Sequence, residues 1–153
     1  MADILKVFFM SMLPIVELRG SIILGAGLHM PWWQTYLASV VGNLLPIPFI
    51  LLFIRKILEW MKNVKHLDKV AFWLEARAQK NSKKVMRFAT FGLFLFVAIP
   101  IPGTGAWMGA LIAALMDMRL KYSLFSLTLG VLVAGTIMVC ASYGFVGFLS
   151  IFI

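Results

Sequence analysis

The stretch that decides the fold is Pro100-Ile101-Pro102-Gly103-Thr104-Gly105, in the second half of the chain. It lies near the middle of a segment, Phe88 to Met116, that contains no Asp, Glu, Lys or Arg. Two prolines and two glycines within six positions cannot continue a helix, because proline lacks a backbone N–H and clashes with the preceding turn. About a dozen apolar residues remain on each side, fewer than the roughly 20 that a membrane-crossing helix needs. The segment therefore predicts a re-entrant hairpin, which enters a membrane and returns to its starting side.

The composition of the whole chain agrees with a membrane protein. Of its 153 residues, 62% are apolar and 13% are charged, and the mean hydropathy is +0.97. Soluble domains have about half apolar and about a quarter charged residues, so an ordinary soluble domain is excluded. The length allows one compact membrane domain. The single cysteine, Cys140, excludes an internal disulfide and a cysteine-based metal site, and we expect it to be a small packing residue.

The positive charge is concentrated in one segment. The formal net charge is +8, and residues 55–87 contain ten Lys or Arg against three Asp or Glu, a net +7. The positive-inside rule places this segment in the cytoplasm, so the charge indicates topology, and no nucleic-acid partner is expected. Apolar residues recur there at helical spacing: Trp60, Val64, Leu67, Ala71 and Leu74. They predict a basic amphipathic helix on the anionic inner leaflet, the alternative being a solvated connector.

The charges around the predicted second hairpin support its re-entrant path. Arg87 precedes it, and Arg119 and Lys121 follow it. A hairpin leaves all three residues on the cytoplasmic side. A full crossing would instead place Arg119 and Lys121 outside, against the positive-inside rule.

The two halves of the chain share a pattern. A shift of 86 positions aligns Leu13-Pro14-Ile15 with Ile99-Pro100-Ile101, Met30 with Met116, and Tyr36 with Tyr122. Each half then consists of a broken element, a short turn and a long span. If the first span, Trp32 to Ile54, ends at the cytoplasmic segment, the first hairpin enters from the opposite side to the second. The sequence therefore predicts an inverted repeat, in which two broken elements form a binding site at the membrane midplane.

The predicted architecture is an all-α integral membrane protein with a single domain, residues 1–153. The first repeat, residues 1–54, comprises a re-entrant hairpin and a transmembrane helix. A basic cytoplasmic amphipathic connector follows over residues 55–87. The second repeat, residues 88–153, again comprises a hairpin and a transmembrane helix.

Two motifs, Glu17-Leu18-Arg19-Gly20-Ser21-Ile22 and the stretch from Ile99 to Ala110, resemble the small multidrug export protein family of bacteria and archaea. This family is a compact relative of the DedA membrane proteins, and the resemblance covers essentially the whole chain. It implies two opposed hairpins, each followed by a transmembrane helix. For DedA proteins it further implies ion-driven recycling of a phosphorylated polyprenyl lipid carrier, such as undecaprenyl phosphate, across the inner membrane.

The chain departs from the DedA pattern in its basic residues. Glu17 matches the acidic residue of the DedA first hairpin. DedA proteins carry essential basic residues in the second hairpin, whereas this chain has none from Phe88 to Met116. Its intramembrane arginine is Arg19, in the first hairpin.

Glu17 and Arg19 are the candidate functional charges. A central Arg or Asp in a membrane helix costs about 2.5–3.5 kcal/mol on insertion scales, so such residues are retained for a reason. Two readings remain open. Either the two side chains form a buried ion pair that locks one hairpin against the other, or Glu17 accepts a coupled proton while Arg19 holds an anionic substrate.

The predicted tip of the second hairpin is a candidate headgroup site. Its glycines would let backbone N–H groups converge on an anion, and Thr104 would cap the following helix, although a simple tight turn is the alternative. Asn43 is more typical of a hydrogen bond between helices than of a ligand contact. The candidate substrate-binding residues are Glu17, Arg19, Gly20, Ser21, Asn43, Pro100, Pro102, Gly103, Thr104, Gly105 and Trp107.

The sequence contains no catalytic set, so no enzyme activity and no cofactor are expected. His29 and His66 stand singly, so we expect no metal. The predicted function is an inner-membrane transporter of an anionic lipid headgroup, with ion or proton coupling. The alternatives are an ion-coupled exporter of lipophilic compounds and a non-transporting membrane scaffold. The expected partners are membrane lipids and the substrate, and a homodimer is compatible with the sequence.

Overall fold

The computed structural model describes residues 1–64, 67–85, 89–101, 103–116 and 118–149. His66, Arg87 and Pro102 lie outside the described residues. Within these ranges there is no strand, and the predicted all-helical class is confirmed. The helices are α1 (Ala2–Met12), α2 (Glu17–Gly27), α3 (Trp32–Leu44), α4 (Ile47–Lys62), α5 (Asp68–Val85), α6 (Ala89–Ala98), α7 (Ala106–Leu115) and α8 (Leu120–Leu149).

Four of the helices are short and form two contacting pairs. Helices α1 and α2 have 11 residues each, and α6 and α7 have 10 residues each. At about 1.5 Å of rise per residue, each is about 15 Å long, about half the hydrocarbon thickness of a bilayer. The chain breaks between the members of each pair at a proline, Pro14 in the first and Pro100 in the second. The pairs α1–α2 and α6–α7 are called the first and second hairpins below.

Two segments are long and apolar enough to cross a membrane, Trp32–Ile54 and Leu120–Gly144. The first is not one uninterrupted helix, because α3 ends at Leu44 and α4 begins at Ile47, on either side of Pro46. The second lies within the single helix α8. Both segments expose large apolar side chains, among them Leu37 and Phe125, which suit contact with lipid. Cys140 also lies on the exposed surface of α8, so the expectation that it packs in the interior is wrong.

The shift of 86 positions also relates the backbone of the two hairpins. Helix α1 ends at Met12 and α6 ends at Ala98. The same shift relates Glu17 to Gly103, and both residues have a positive φ, 51° and 84°. The left-handed conformation costs a residue with a side chain about 1–2 kcal/mol, whereas glycine adopts it freely. The first hairpin therefore has a glutamate in a conformation for which the second hairpin uses a glycine.

Small and hydroxylated residues bring α2 and α3 together. The Ser21 hydroxyl donates a hydrogen bond to Ser39 Oγ at 2.8 Å, and Gly25 lies directly against the side chain of Thr35. Such contacts let helix backbones approach closely in a membrane. The helices run antiparallel, and α8 packs against both of them and against α6. The shared core contains Leu18, Ile22, Leu93, Ile112 and Leu127, all buried.

The basic segment is not the single amphipathic helix that the spacing from Trp60 to Leu74 predicts. The chain leaves α4 after Lys62 and starts α5 at Asp68. Trp60 is 62% exposed, whereas Ala71 is fully buried, so the two do not share a face. Helix α5 contacts α4, α6 and α7. It is therefore docked along the second hairpin, with Ala71 in the core.

Candidate functional site

Glu17 reaches from the start of α2 to the start of α7. Its side chain is buried, with 9% exposed, and its carboxylate lies directly against Gly105, where a Cβ would collide with it. The backbone N–H of Trp107, in the first turn of α7, donates to Glu17 Oε1 at 3.4 Å. A helix N-terminus carries unpaired N–H groups and a partial positive charge. The carboxylate of the first hairpin therefore stabilises the N-terminal end of a helix in the second.

Arg19 contacts the other end of the break between α6 and α7, at the residues that follow α6. Its guanidinium donates hydrogen bonds to the carbonyl oxygens of Ile101 and Ile99, the latter at 3.3 Å, and to Thr104 Oγ1 at 3.0 Å. Carbonyl groups after a helix C-terminus lack helical partners and attract a cation. Each carbonyl also accepts a backbone hydrogen bond, Ile99 O from Ile101 N–H at 2.8 Å and Ile101 O from Thr104 N–H at 3.1 Å, so Arg19 adds a second donor and the charge.

Glu17 and Arg19 do not pair with each other in the described structure, where no ion pair within 4.0 Å joins them. Two positions apart on a helix, their side chains point in directions about 200° apart. The carboxylate contacts the start of α7 and the guanidinium contacts the residues after α6. Both charges hold the second hairpin separately, so the arrangement differs from a mutual ion pair.

Trp107 completes a reciprocal contact between the hairpins. Its indole N–H donates to the carbonyl oxygen of Met12, the last residue of α1, at 3.1 Å. Arg19, in α2, likewise donates to carbonyl oxygens that follow α6, those of Ile99 and Ile101. In each hairpin, the second helix thus donates hydrogen bonds to carbonyls at the end of the first helix of the other hairpin.

The tip of the second hairpin differs from the predicted anion nest. Gly105, in an extended conformation, is the N-cap of α7 and has no side chain for a cap hydrogen bond, and Glu17 bonds the N–H of Trp107, so the expected capping role of Thr104 is wrong. The Thr104 hydroxyl instead lies within hydrogen-bond distance of Ile99 O and Ile101 O, at 3.0 and 2.9 Å. The N-terminal end of α7 is occupied by Glu17. Pro100 lies at the tip, and Pro102 is outside the described residues.

Gly20 and Ser21, the other predicted site residues around Glu17 and Arg19 in sequence, make contacts within the first repeat. A Cβ at Gly20 would collide with the side chain of Val16, and Ser21 forms the hydrogen bond to Ser39 that connects α2 and α3. Asn43 is 2% exposed, and its Oδ1 has no hydrogen-bond partner among the described residues, so the expected bond between helices is not made by this atom. The register that pairs Ser21 with Ser39 places Asn43, one turn further along α3, at the depth of Glu17.

A residue that the sequence reasoning missed is Arg77. It belongs to α5, and its guanidinium lies against Gly103, where an added Cβ would collide with Nη2. The same guanidinium lies over the ring of Trp73, 5.1 Å from its centroid. The second hairpin has no basic residue of its own, but α5 brings one to its tip. Nothing in the spacing of the ten basic residues of the segment singles out this one.

The described residues contain no group of three or more His, Cys, Asp or Glu side chains that could hold a metal ion. The site consists of one carboxylate, two guanidiniums, a hydroxyl and the backbone of the broken hairpin. Such a set can bind a charged group and exchange a proton.

Comparison with known proteins gives one result. Neither a curated protein nor a solved structure matches the chain. The family described as "Putative small multi-drug export protein" matches residues 17–137, most of the chain, and the match begins at Glu17 and includes both hairpin motifs. The predicted family is therefore confirmed, and the chain belongs to the small multi-drug export protein family.

Proposed function

We propose that this protein is a membrane transporter for an amphiphile with an anionic headgroup, and that a polyprenyl phosphate carrier such as undecaprenyl phosphate is its best candidate substrate. One observation carries the proposal. Glu17 and Arg19 of the first hairpin are inserted into the broken tip of the second. A buried carboxylate and a half-buried guanidinium where two broken elements meet are typical of a transporter substrate site.

Arg19 has the chemistry for the anion. A guanidinium has five N–H donors, and three hydrogen bonds connect Arg19 to the second hairpin, which leaves donors for a ligand. The unused donors are the Nε–H and one Nη1–H, because both Nη2 hydrogens are bonded to Ile99 O and Thr104 Oγ1. Arg19 can therefore bind a phosphate with two parallel hydrogen bonds, as its planar fork allows, once it releases these contacts.

Glu17 is the proposed site of proton coupling. As an anion it interacts favourably with the N-terminal end of α7, and on protonation it loses that charge interaction. The helix end is then open to another anion. Proton binding and substrate binding are thereby linked at one place.

The proposed topology is an inverted repeat of two re-entrant hairpins in the inner membrane. The arms of 10 or 11 residues are too short to cross separately. The net +7 of residues 55–87 favours the cytoplasmic side for that segment, from which Arg77 of α5 extends to the tip of the second hairpin. The two hairpins then enter from opposite sides, and their tips meet.

A second candidate function is ion-coupled export of lipophilic compounds. The family description favours it, and Glu17 would suffice as the coupling group. Arg19 distinguishes the two functions, because an anion site requires its charge and a site for lipophilic cations would tolerate its loss.

The test is transport by the purified chain in liposomes that contain undecaprenyl phosphate. An added phosphatase reports the rate at which the lipid reaches the outer leaflet. We expect Glu17→Gln and Arg19→Lys to lower this rate at least about 10-fold, since each removes a charge or a bidentate contact. Arg119→Lys is the matched control, because Arg119 is exposed and lies outside the site, and it should leave the rate unchanged.

Two results would contradict the proposal. No phosphatase-accessible flux above protein-free liposomes, together with ethidium efflux that survives Arg19→Ala, would identify an exporter of lipophilic cations. Full activity in both Glu17→Gln and Arg19→Lys would remove these charges from the mechanism.

A further inference from the structure

The basic helix α5 takes part in the tip of the second hairpin. Gly103 adopts φ 84°, which favours glycine, and its missing side chain leaves the space that the Arg77 guanidinium occupies. Trp73, one turn earlier in α5, lies under the guanidinium at 5.1 Å. A cation over a tryptophan ring is attracted by the ring electrons. Arg77 is therefore held at the tip by the shape of the turn and by an aromatic surface.

Two guanidiniums flank the same short stretch of backbone. Arg19 contacts Ile101 and Thr104, and Arg77 contacts Gly103, which lies between them in sequence. Arg19 belongs to α2 of the first hairpin, and Arg77 belongs to α5, between the two hairpins in sequence. Only the tertiary structure brings both guanidiniums to this turn.

The nearby carboxylates do not neutralise both cations. Glu17 contacts the start of α7, and Glu75, two residues before Arg77, forms an ion pair with Lys62 at 2.7 Å. Lys62 itself lies over the ring of Phe72, on the other side of α5 from the tip contact. The tip therefore carries an excess of positive charge.

We propose that Arg77 and Arg19 together clamp a phosphate monoester at the tip of the second hairpin. This assignment rests on the proposed function and names the headgroup that the site binds. A phosphate monoester carries a charge of about −1.5 to −2 at neutral pH and has three terminal oxygens, which suits two guanidiniums. A phosphodiester has about one negative charge fewer and should bind more weakly. The two guanidiniums would repel a lipophilic cation.

The test measures binding to the full chain in nanodiscs of zwitterionic lipid. The probes are farnesyl phosphate, farnesol and inorganic phosphate. We expect Arg77→Gln to weaken farnesyl phosphate binding about 10-fold or more, the usual effect of losing a charge-assisted hydrogen bond. Lys69→Gln is the matched control, because it removes one positive charge from an exposed position of the same helix, and it should change binding less than about 2-fold.

The outcomes separate the clamp from the proposed function. An equal effect of Arg77→Gln and Lys69→Gln, while Arg19→Gln still weakens binding, overturns the clamp and leaves the anionic-headgroup transporter intact. Equal binding of farnesyl phosphate and farnesol by the wild type overturns both. If inorganic phosphate competes as well as farnesyl phosphate does, the clamp is supported and its ligand is free phosphate.

A second measurement uses only the wild-type chain, so it does not depend on the folding of a variant. Phenylglyoxal modifies accessible arginines, and mass spectrometry identifies the modified residue. Farnesyl phosphate should protect Arg77 from modification and leave Arg119 reactive, whereas farnesol should protect neither. Unchanged modification of Arg77 at saturating farnesyl phosphate would overturn the clamp.

Discussion

Gly105→Ala should displace the Glu17 carboxylate without straining the backbone. The φ of Gly105 is −174°, an extended conformation that alanine adopts, so the substitution adds a methyl group and no conformational penalty. That methyl group collides with the carboxylate. Overpacking of this kind costs about 1–3 kcal/mol, and we expect the free energy of unfolding to fall by this amount. The hydrogen bond from Trp107 N–H to Glu17 should be lost with it.

A double-mutant cycle isolates this contact. Glu17→Ala alone should cost about 0.5–2 kcal/mol, the usual value of a carboxylate at a helix N-terminus. In the Glu17→Ala background the colliding atoms are absent, so adding Gly105→Ala should cost little, and the coupling energy should be about 1–3 kcal/mol in magnitude.

The assay is reversible denaturation in detergent, followed for the wild type, both single variants and the double variant. Gly27→Ala is the control, because a Cβ at Gly27 meets nothing within 4 Å and should leave stability unchanged or slightly higher. Additive effects of Glu17→Ala and Gly105→Ala, within about 0.5 kcal/mol, would refute the reasoning.

Two further predictions concern strain and topology. Because Glu17 has φ 51°, Glu17→Gly should be more stable than Glu17→Ala by about 1 kcal/mol in the same denaturation assay, although both should be inactive in transport; equal stability would argue against the strain. In a Cys140-free background, a cysteine at position His29 should react with an impermeant thiol reagent in intact cells, whereas cysteines at positions Lys62 and Lys121 should be shielded. Labelling of both the His29 and the Lys121 positions from outside would exclude a re-entrant second hairpin.

The helix breaks could be predicted from the sequence because they follow from local chemistry. Pro14 and the stretch from Pro100 to Gly105 interrupt the backbone hydrogen bonds wherever they occur, and the structure has breaks at both places. The absence of charge over long stretches likewise predicted the two long apolar segments. Glu17 and Arg19 were identifiable as candidates because charge is rare in such surroundings.

The partners of these residues were not predictable, because they depend on tertiary register. Thr104 stands before a helix, where local preference favours a capping role, yet its hydroxyl is engaged by Arg19 and by carbonyls of the turn. Arg77 is one of ten basic residues in its segment, and only the docking of α5 selects it. The apolar spacing from Trp60 to Leu74 wrongly predicted one amphipathic helix, because these residues belong to two helices, α4 and α5, with a break between them.

The contacts of Arg19 give a physical reason for coupling between substrate and conformation. If Arg19 turns toward an anion, the carbonyls of Ile99 and Ile101 each lose a hydrogen bond to a charged donor but keep a backbone donor, Ile101 N–H at 2.8 Å and Thr104 N–H at 3.1 Å. The bonds that Arg19 makes connect the two hairpins, so turning Arg19 away removes contacts between the hairpins and leaves the turn itself hydrogen-bonded. Without these bonds the turn after α6 is held to α2 less tightly, and it can move relative to α2. Under the proposed function, binding at this arginine therefore favours a different arrangement of the two hairpins, and alternating access needs such a linkage.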